Sequence, residues 1–279
     1  MSETQTKPAV ATAETAAAKP APAGPAAKKR HFKLRVAGIV LGLFLVACAG
    51  FVVAYLNDYY PADSTALAAL ENGTADGVQV AYPKDDLVAF LPQGYSTENA
   101  DNAPKGFIFY PGAKVQATAY AGLLRACAES GLVAVLVPMP FNFALLGTNK
   151  ADGIQDLYPQ VESWYIGGHS LGGVAASSYV SKHADSYDGL ILLAAYSADK
   201  IPDTLKVLSI YGTEDGIRNL DNYQKNRGNL PANTVELLIE GGNHCQFGSY
   251  GLQQGDNEAT ISPEAQVHET VADIMAFVG

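Results

Sequence analysis

Residues 163–177 read SWYIGGHSLGGVAAS: an apolar run is followed by four glycines around a single serine, Ser170, and then by small residues. Glycine loses more conformational freedom on folding than any other residue. Such a cluster is therefore expected where the backbone turns tightly or approaches another segment closely. The apolar run predicts a β-strand over 163–168, and the pattern that follows predicts a helix over 171–184. Ser170 therefore lies at a strand-to-helix junction.

The five residues 168–172, Gly-His-Ser-Leu-Gly, match the pattern G-x-S-x-G. Between a strand and a helix, this pattern is typical of a nucleophile elbow, a strained turn that lifts the serine hydroxyl above the sheet. The N–H groups that follow the serine begin a helix, where negative charge is favoured. An ordinary glycine-rich turn is the alternative, and the elbow differs from it in requiring catalytic partners elsewhere in the chain.

A serine hydroxyl becomes a good nucleophile only when a base removes its proton, so the elbow predicts an acid and then a histidine later in the chain. The candidate base is His244, which lies in the glycine-rich segment IEGGNHCQFG after the last predicted strand; an ordinary loop histidine is the alternative. The other four histidines lie in the N-terminal tail, inside the elbow, at the end of the elbow helix and on the last helix: His31, His169, His183 and His268.

The candidate acid is Asp215, which follows an apolar strand in the segment SIYGTEDGI. Its carboxylate is expected to orient the imidazole of His244. Because Asp215 precedes a glycine, a purely local role in a turn is the alternative interpretation. Glu214 beside it and Asp199, which follows the preceding strand, are the alternative acids.

Residues 58–279 alternate short β-rich runs with helical patterns, which is typical of a mostly parallel sheet with helices on both faces. We predict one domain with about eight strands, a hairpin that turns at Pro83–Asp85, and helices over 118–131, within 141–159 and over 264–278. Because only residues 197–204 separate two strands after the elbow helix, we expect no large cap over the site. The predicted strands are 77–82, 86–92, 106–112, 132–140, 163–168, 189–196, 205–212 and 234–242.

Four segments, FIFYPGAKV, GGHSLGG, YGTEDG and EGGNH, together resemble the α/β-hydrolase superfamily over about residues 77–279. The small, lidless branch similar to dienelactone hydrolases is the best match. Their nucleophile is a cysteine, whereas this chain has Ser170, which puts a lactone substrate in doubt and leaves ester chemistry. The resemblance implies that the N–H groups of Leu171 and Ala113 stabilise an oxyanion, with an ordinary turn at residues 110–112 as the alternative.

The N-terminal region has a different composition. Residues 1–35 form a predicted disordered tail that ends in the basic run KKRHFKLR, and residues 36–56 contain no charge over a length that can cross a bilayer. The positive-inside rule places the tail in the cytoplasm and the large domain outside the cell membrane, on an uncleaved transmembrane signal anchor. The alternatives are a cleaved signal peptide, a lipoprotein processed at Cys48, and a buried core helix.

The formal net charge is −10, and the first 57 residues hold seven of the 18 basic residues but only two of the 28 acidic ones. The predicted domain is therefore strongly acidic, which argues against a nucleic-acid surface. Three cysteines exclude a disulfide scaffold; Cys127 and Cys245 form either a pair or two buried thiols. We find no pattern for a metal or a cofactor, and Asp256 and Glu258 are expected in a solvated loop.

Three hypotheses for the function follow from this pattern. The leading one is a membrane-anchored serine hydrolase that cleaves small-molecule carboxylic esters through an acyl-enzyme. The second is an acyltransferase that uses the same intermediate. The third is a catalytically silent binding module, because a fold does not determine a function. Phe141, Phe143 and Leu146 either contact the substrate or belong to the core.

Overall fold

The computed structural model describes residues 25–73, 75–84, 87–96, 104–218 and 220–279. Most of the predicted disordered tail and Asp85 of the predicted hairpin turn lie outside these residues. The chain divides into two compact units, Met1–Ala54 and Tyr55–Gly279.

Helix α1 spans Pro25–Asn57 and so begins before the predicted apolar segment. The earlier start follows from a proline in the first turn and from Ala, Lys and Arg, which are good helix formers. Within α1, the segment Phe32–Asn57 has a mean hydropathy of 2.7 and is not buried by the rest of the chain. By length and composition this segment can cross a membrane, and an N-terminal signal sequence has the same character.

The described residues of the second unit form an eight-stranded sheet, as predicted. In space the strands follow the order β1-β2-β4-β3-β5-β6-β7-β8. The pairs β1–β2 and β2–β4 are antiparallel, and every other neighbouring pair is parallel. The strands are β1 (Gln79–Ala81), β2 (Val88–Leu91), β3 (Gly106–Tyr110), β4 (Val133–Leu136), β5 (Trp164–His169), β6 (Gly189–Leu193), β7 (Lys206–Gly212) and β8 (Val235–Ile239).

Helices cover both faces of the sheet, and the alternation of side chains along β3 shows why. Phe107 and Phe109 join one hydrophobic cluster with residues of α3 and α6, whereas Ile108 and Tyr110 join a second cluster with residues of α4. Successive side chains of a strand point to opposite faces, so a fully apolar strand requires two cores. The helices after α1 are α2 (Ser64–Ala68), α3 (Ala121–Glu129), α4 (Leu171–Val180), α5 (Leu220–Asn226) and α6 (Pro263–Val278).

The prediction of a helix within 141–159 is wrong. The structure has four short 3-10 turns there, at Pro140–Asn142, Ala144–Leu146, Thr148–Ala151 and Gln155–Leu157. A tertiary contact accounts for part of the difference, because the Tyr110 hydroxyl donates to the Thr148 carbonyl and accepts from the Ala151 N–H. These bonds use backbone groups that a continuous helix would pair internally.

The connection between β6 and β7, residues 194–205, contains no helix, so the predicted absence of a large cap is confirmed for this segment. The parallel strands end at one edge of the sheet, and the loops that follow them carry unusual backbone conformations. Among the described residues, five that are not glycine have a positive φ: Lys114, Phe141, Asn142, Ser170 and Ala194. They follow β3, β4, β5 and β6, so backbone strain concentrates where the strands end, as is common at functional sites.

Helix α4 lies against β3 with no side chain between them at Gly172. A Cβ atom on this residue would lie 2.1 Å from the Tyr110 carbonyl oxygen and 2.4 Å from that of Pro111. We predict that Gly172→Ala lowers the free energy of unfolding by about 1–3 kcal/mol or more, because backbone atoms must move to accept the methyl group. Chemical denaturation of the full chain in detergent measures this change.

Gly122→Ala is the matched control, because Gly122 lies in α3 and a Cβ there would meet no atom within 4 Å. This variant should be stabilised by about 0.5–1 kcal/mol, since alanine is the better helix former. Equal stability changes in the two variants would contradict the close approach of α4 to β3.

Candidate active site

Ser170 occupies the turn between β5 and α4 with φ 52° and ψ −125°. This conformation is unfavourable for a residue with a Cβ atom. The Ser170 N–H donates to the Leu193 carbonyl at 2.9 Å, which ties the turn to the end of β6. The backbone therefore has the strained strand-to-helix geometry that the G-x-S-x-G pattern predicts.

The structure brings Asp215 and His244 together. Nδ1 of His244 lies 2.9 Å from Oδ2 of Asp215, and the two side chains are only 3% and 1% exposed. Because a carboxylate accepts, Nδ1 carries the proton and Nε2 presents its lone pair. Nε2 is buried and has no hydrogen-bond partner among the described residues. An imidazole held in this tautomer can take a proton at Nε2.

The Asp215 carboxylate is held in place on its other side as well. Oδ1 accepts from the backbone N–H groups of Ile217, at 3.0 Å, and Arg218, at 2.7 Å. These two bonds fix the orientation of the carboxylate beside His244. Of the alternative acids, Glu214 contributes its backbone N–H to the Gly242 carbonyl, and the described hydrogen bonds join neither its carboxylate nor that of Asp199 to His244.

Ser170 and His244 line the same pocket, whose volume is about 230 Å³. The guanidinium of Arg218 forms part of this pocket and lies 3.8 Å from the ring centre of Tyr211. The remaining lining residues are Leu171, Ala194, Ala195, Tyr196, Ile217, Asn222 and Tyr223. A larger groove of about 680 Å³ lies against α3 and α6 and contains none of the predicted site residues.

The N–H groups of the two candidate oxyanion donors make no hydrogen bond among the residues that the structure describes. The neighbours of Ala113 are already used: the Gly112 N–H donates to the Tyr120 hydroxyl at 3.1 Å, and the Lys114 N–H donates to the Asn142 carbonyl at 2.8 Å. The Ala113 N–H makes no hydrogen bond to another described residue. Leu171 is the first residue of α4, where the N–H has no partner within the helix.

The sequence comparison decides the family. A sequence model of the alpha/beta hydrolase family matches residues 106–268, which is more than half of the chain. The chain belongs to the α/β hydrolase family. A search of curated proteins finds no match.

Solved structures share this fold with our α/β hydrolase at low sequence identity. Dienelactone hydrolase from Anabaena variabilis is 13% identical, with a TM-score of 0.51 over 72% of this chain and 99% of that chain. Thermogutta terrifontis esterase 2, phosphoramylated by tabun, is 12% identical, with a TM-score of 0.51 over 75% and 98%. Est1E from Butyrivibrio proteoclasticus with bound ferulic acid is 13% identical, with a TM-score of 0.50 over 74% and 98%.

His169, inside the elbow motif, is buried beside the site of this α/β hydrolase. Its Nδ1 lies 2.8 Å from the Tyr120 hydroxyl, and its ring centre lies 4.4 Å from that of His244. Burial, and secondarily the His244 imidazole, lower the pKa of His169 well below its ordinary value, so the ring is neutral. Tyr120 connects this ring to the Gly112 N–H, a connection that no sequence pattern indicated.

Asp256 lies in a loop whose residues are exposed or half-exposed, as expected, but its carboxylate also contacts two segments of the site. Its Oδ1 accepts from the Gly216 N–H at 3.0 Å, and its Oδ2 accepts from the Cys245 N–H at 2.9 Å. Gly216 follows Asp215 directly, and Cys245 follows His244 directly. One carboxylate therefore joins the acid loop to the base loop, while Glu258 is exposed, as expected.

Gln266 of α6 supports the base loop from the other side. Its side-chain amide pairs with the backbone of Asn243: Oε1 accepts from the N–H at 2.9 Å, and Nε2 donates to the carbonyl at 2.8 Å. Gln266 is fully buried, so an unpaired amide there would be costly. The sequence gives no sign of this role, because Gln266 lies on a helix whose pattern indicates only amphipathic packing.

The other ionisable candidates lie elsewhere. His183 and His268 are exposed, and the side chain of His31 lies outside the described part of the chain. Cys127 and Cys245 are two buried free thiols, which excludes the alternative of a pair in this structure. The described residues include no group of three His, Cys, Asp or Glu side chains that could hold a metal ion.

We predict that Asp256→Ala lowers the free energy of unfolding by about 1–3 kcal/mol, since it leaves backbone N–H groups of both loops without an acceptor. Glu258→Ala, in the same loop, should change it by less than about 0.5 kcal/mol. Denaturant titration of both variants measures the difference. Indistinguishable stabilities would show that Asp256 does not tie the loops together.

Burial raises the pKa of both the Cys127 and the Cys245 thiols to about 12, and the Asp256 carboxylate adds to the effect at Cys245. Only the thiolate reacts with disulfide reagents, so neither cysteine should react in the native protein at about pH 8. Titration with a chromogenic disulfide reagent, using a Cys48→Ser background, should detect two thiols only after denaturation. Rapid reaction of the native protein would contradict this burial.

Proposed function

We propose that this α/β hydrolase is a membrane-anchored serine hydrolase that cleaves carboxylic esters of small molecules outside the cytoplasm. In this proposal Ser170 is the nucleophile, His244 is the general base and Asp215 orients the imidazole. The observation that carries the proposal is the buried 2.9 Å bond between His244 and Asp215 in the pocket that Ser170 also lines. An acid–base pair beside a strained serine is the arrangement that acyl transfer requires.

The reaction proceeds in two halves. Oγ of Ser170 attacks the ester carbonyl carbon while Nε2 of His244 takes the hydroxyl proton, and the N–H groups of Leu171 and Ala113 stabilise the oxyanion. The intermediate then expels the alcohol, which receives the proton from His244, and leaves the acyl group on Ser170. Water attacks this acyl-enzyme by the same route, so the acid is released and the serine is restored.

Several features of the pocket suit an uncapped ester substrate. The connection between β6 and β7 adds no helix over Ser170, and the lining combines aliphatic and aromatic side chains with the guanidinium of Arg218. No described residue cluster suggests a metal, and the proposed mechanism uses only side chains and backbone N–H groups. The acidic domain, with most of the 28 acidic residues, is unsuited to nucleic acid.

Membrane anchoring is supported by the segment Phe32–Asn57 and by the basic residues that precede it. The run KKRHFKLR at residues 28–35 carries five Lys or Arg residues, which favour the cytoplasmic side of a bilayer. The domain would then lie outside the cytoplasm on an uncleaved signal anchor, and the lipid bilayer would be its structural partner.

Labelling with a fluorophosphonate probe tests the nucleophile in the full chain, purified in detergent. Ser170→Ala should abolish labelling, and His244→Ala should lower its rate at least about 1000-fold, because no base then activates the hydroxyl. Asp215→Asn should lower the rate by about 1000- to 10,000-fold. Ser178→Ala, a change on the same helix α4, is the matched control and should label like the parent.

A folded, monodisperse parent that does not label would overturn the proposal and favour a catalytically silent binding module. Labelling that survives Ser170→Ala would place the reactive serine elsewhere. An ester panel on the labelled parent then measures hydrolysis directly, and product analysis with added alcohols measures any transfer to an acceptor other than water.

A further inference from the structure

The chain enters the second unit beside the candidate oxyanion loop. Residues 55–57, which end α1, belong to the same compact unit as the sheet. The Tyr60 N–H donates to the Lys114 carbonyl at 2.7 Å, and the Gln116 N–H donates to the Tyr60 carbonyl at 2.9 Å. Asp58 forms an ion pair with the Lys114 side chain. The end of the apolar helix is thus tied to the loop that follows β3.

Chain length limits how far the candidate site can be from the end of that helix. Tyr60 lies three positions after Asn57, and three extended residues reach about 10 Å. Tyr60 is bonded to Lys114, the neighbour of Ala113. If α1 crosses a bilayer, the candidate oxyanion loop must therefore lie close to the membrane surface.

An exposed apolar segment borders the same loop. Phe141 is 63% exposed, Leu145 is 47% exposed and Leu146 is 60% exposed; we call these three residues the apolar rim. The carbonyl of Asn142, next to Phe141, accepts from the Lys114 N–H. The turn Ala144–Leu146 packs against α4, the helix that begins after Ser170. The rim therefore lies between the oxyanion loop and the elbow helix.

The backbone holds the rim outward at a conformational cost. Phe141 and Asn142 have φ values of 55° and 52°, a region that is unfavourable for a bulky side chain such as phenylalanine. Between the rim residues, Phe143 is half-buried and Ala144 is buried, so the segment has an inner and an outer face. Exposing three large apolar side chains on a strained turn is unfavourable in water and typical of an interaction surface.

We propose that the apolar rim inserts into the surface of the bilayer that α1 anchors, and that the substrate is an ester lipid drawn from that bilayer. The bilayer is the occupant because the chain tethers the rim to it through the Tyr60–Lys114 contact. Apolar side chains gain from insertion at a lipid interface in proportion to the area they bury. This inference rests on the proposed function, since it names the substrate class of the same site.

Insertion is measured directly by fluorescence, without any reference to catalysis. The only tryptophan of the chain, Trp164, is buried, so it gives a constant background. In the full chain reconstituted into phosphatidylcholine vesicles, Phe141→Trp should shift to shorter wavelength and be quenched by lipids brominated in the acyl chain. Val235→Trp is the control, because Val235 is an exposed residue at the start of the edge strand β8. Equal quenching of the two variants would overturn the insertion of the rim.

Turnover tests the substrate class. The full chain is placed in vesicles of ether-linked phosphatidylcholine that contain either diacylglycerol or diacylphosphatidylglycerol, and fatty acid release is compared with hydrolysis of soluble p-nitrophenyl acetate. A variant that carries Phe141→Ser, Leu145→Ser and Leu146→Ser should lower the ratio of lipid to soluble turnover by about 10-fold or more, since less apolar area is inserted. Val235→Ser should leave the ratio unchanged.

The outcomes separate this inference from the proposed function. A parent that hydrolyses the soluble ester but neither lipid would overturn the lipid substrate and leave the esterase intact. An unchanged ratio in the rim variant would overturn the role of the rim. A parent that hydrolyses no ester and does not label with the fluorophosphonate would contradict the proposed function, while the tryptophan quenching would still decide whether the rim inserts.

Discussion

A single buried hydrogen bond, from Nδ1 of His244 to Oδ2 of Asp215, is the contact on which the candidate site depends. Both side chains lie on loops, which are the least constrained parts of a parallel α/β fold. The loops are also joined by other contacts: the Asp256 carboxylate accepts from each, and the Gln266 amide pairs with the backbone of the base loop. Hydrogen bonds from Asp256 and Gln266 therefore link the two loops that carry Asp215 and His244.

The sheet contributes to the candidate site by placing strained turns next to one another. Because β3, β4, β5 and β6 are parallel, their carboxyl ends meet at one edge, and the positive φ values of the described non-glycine residues all occur there. Each such residue costs free energy that the packed cores on the two faces must offset. At the same edge, Ser170 occupies its turn, and the N–H groups of Leu171 and Ala113 make no hydrogen bond within the described part of the chain. The same edge carries Phe141, so strain and exposed apolar surface coincide.

The segment that follows the apolar helix contacts the sheet domain at this same edge. Tyr60 pairs with the strand-like segment at Val115, close to the candidate oxyanion loop rather than at the opposite edge of the sheet. Tyr60 lies only three positions after Asn57, the last residue of α1. The contact between Tyr60 and Val115 therefore bears on what the site can reach if α1 lies in a membrane.

Local patterns in the sequence were enough to predict most of the strands and helices and the turn at Ser170. Apolar runs and their spacing predicted all eight strands and the helices over Ala121–Glu129, Leu171–Val180 and Pro263–Val278, because burial on both faces of a parallel sheet leaves a continuous apolar signal. The G-x-S-x-G pattern predicted the turn at Ser170, since a close approach of backbones demands glycine. Chain order singled out Asp215 and His244 as candidates, and the structure places them in contact.

Only the tertiary structure decided the rest, because it depends on contacts between residues far apart in the chain. The segment 141–159 reads as helical, yet hydrogen bonds to the Tyr110 hydroxyl, from residues 38 and 41 positions away, favour short 3-10 turns. Asp256 reads as a solvated loop residue, yet two N–H groups from separate loops converge on it. Tyr120 and Gln266 carry no local signal at all. A sequence pattern records which face of an element is buried, but not which distant polar group will need a partner there.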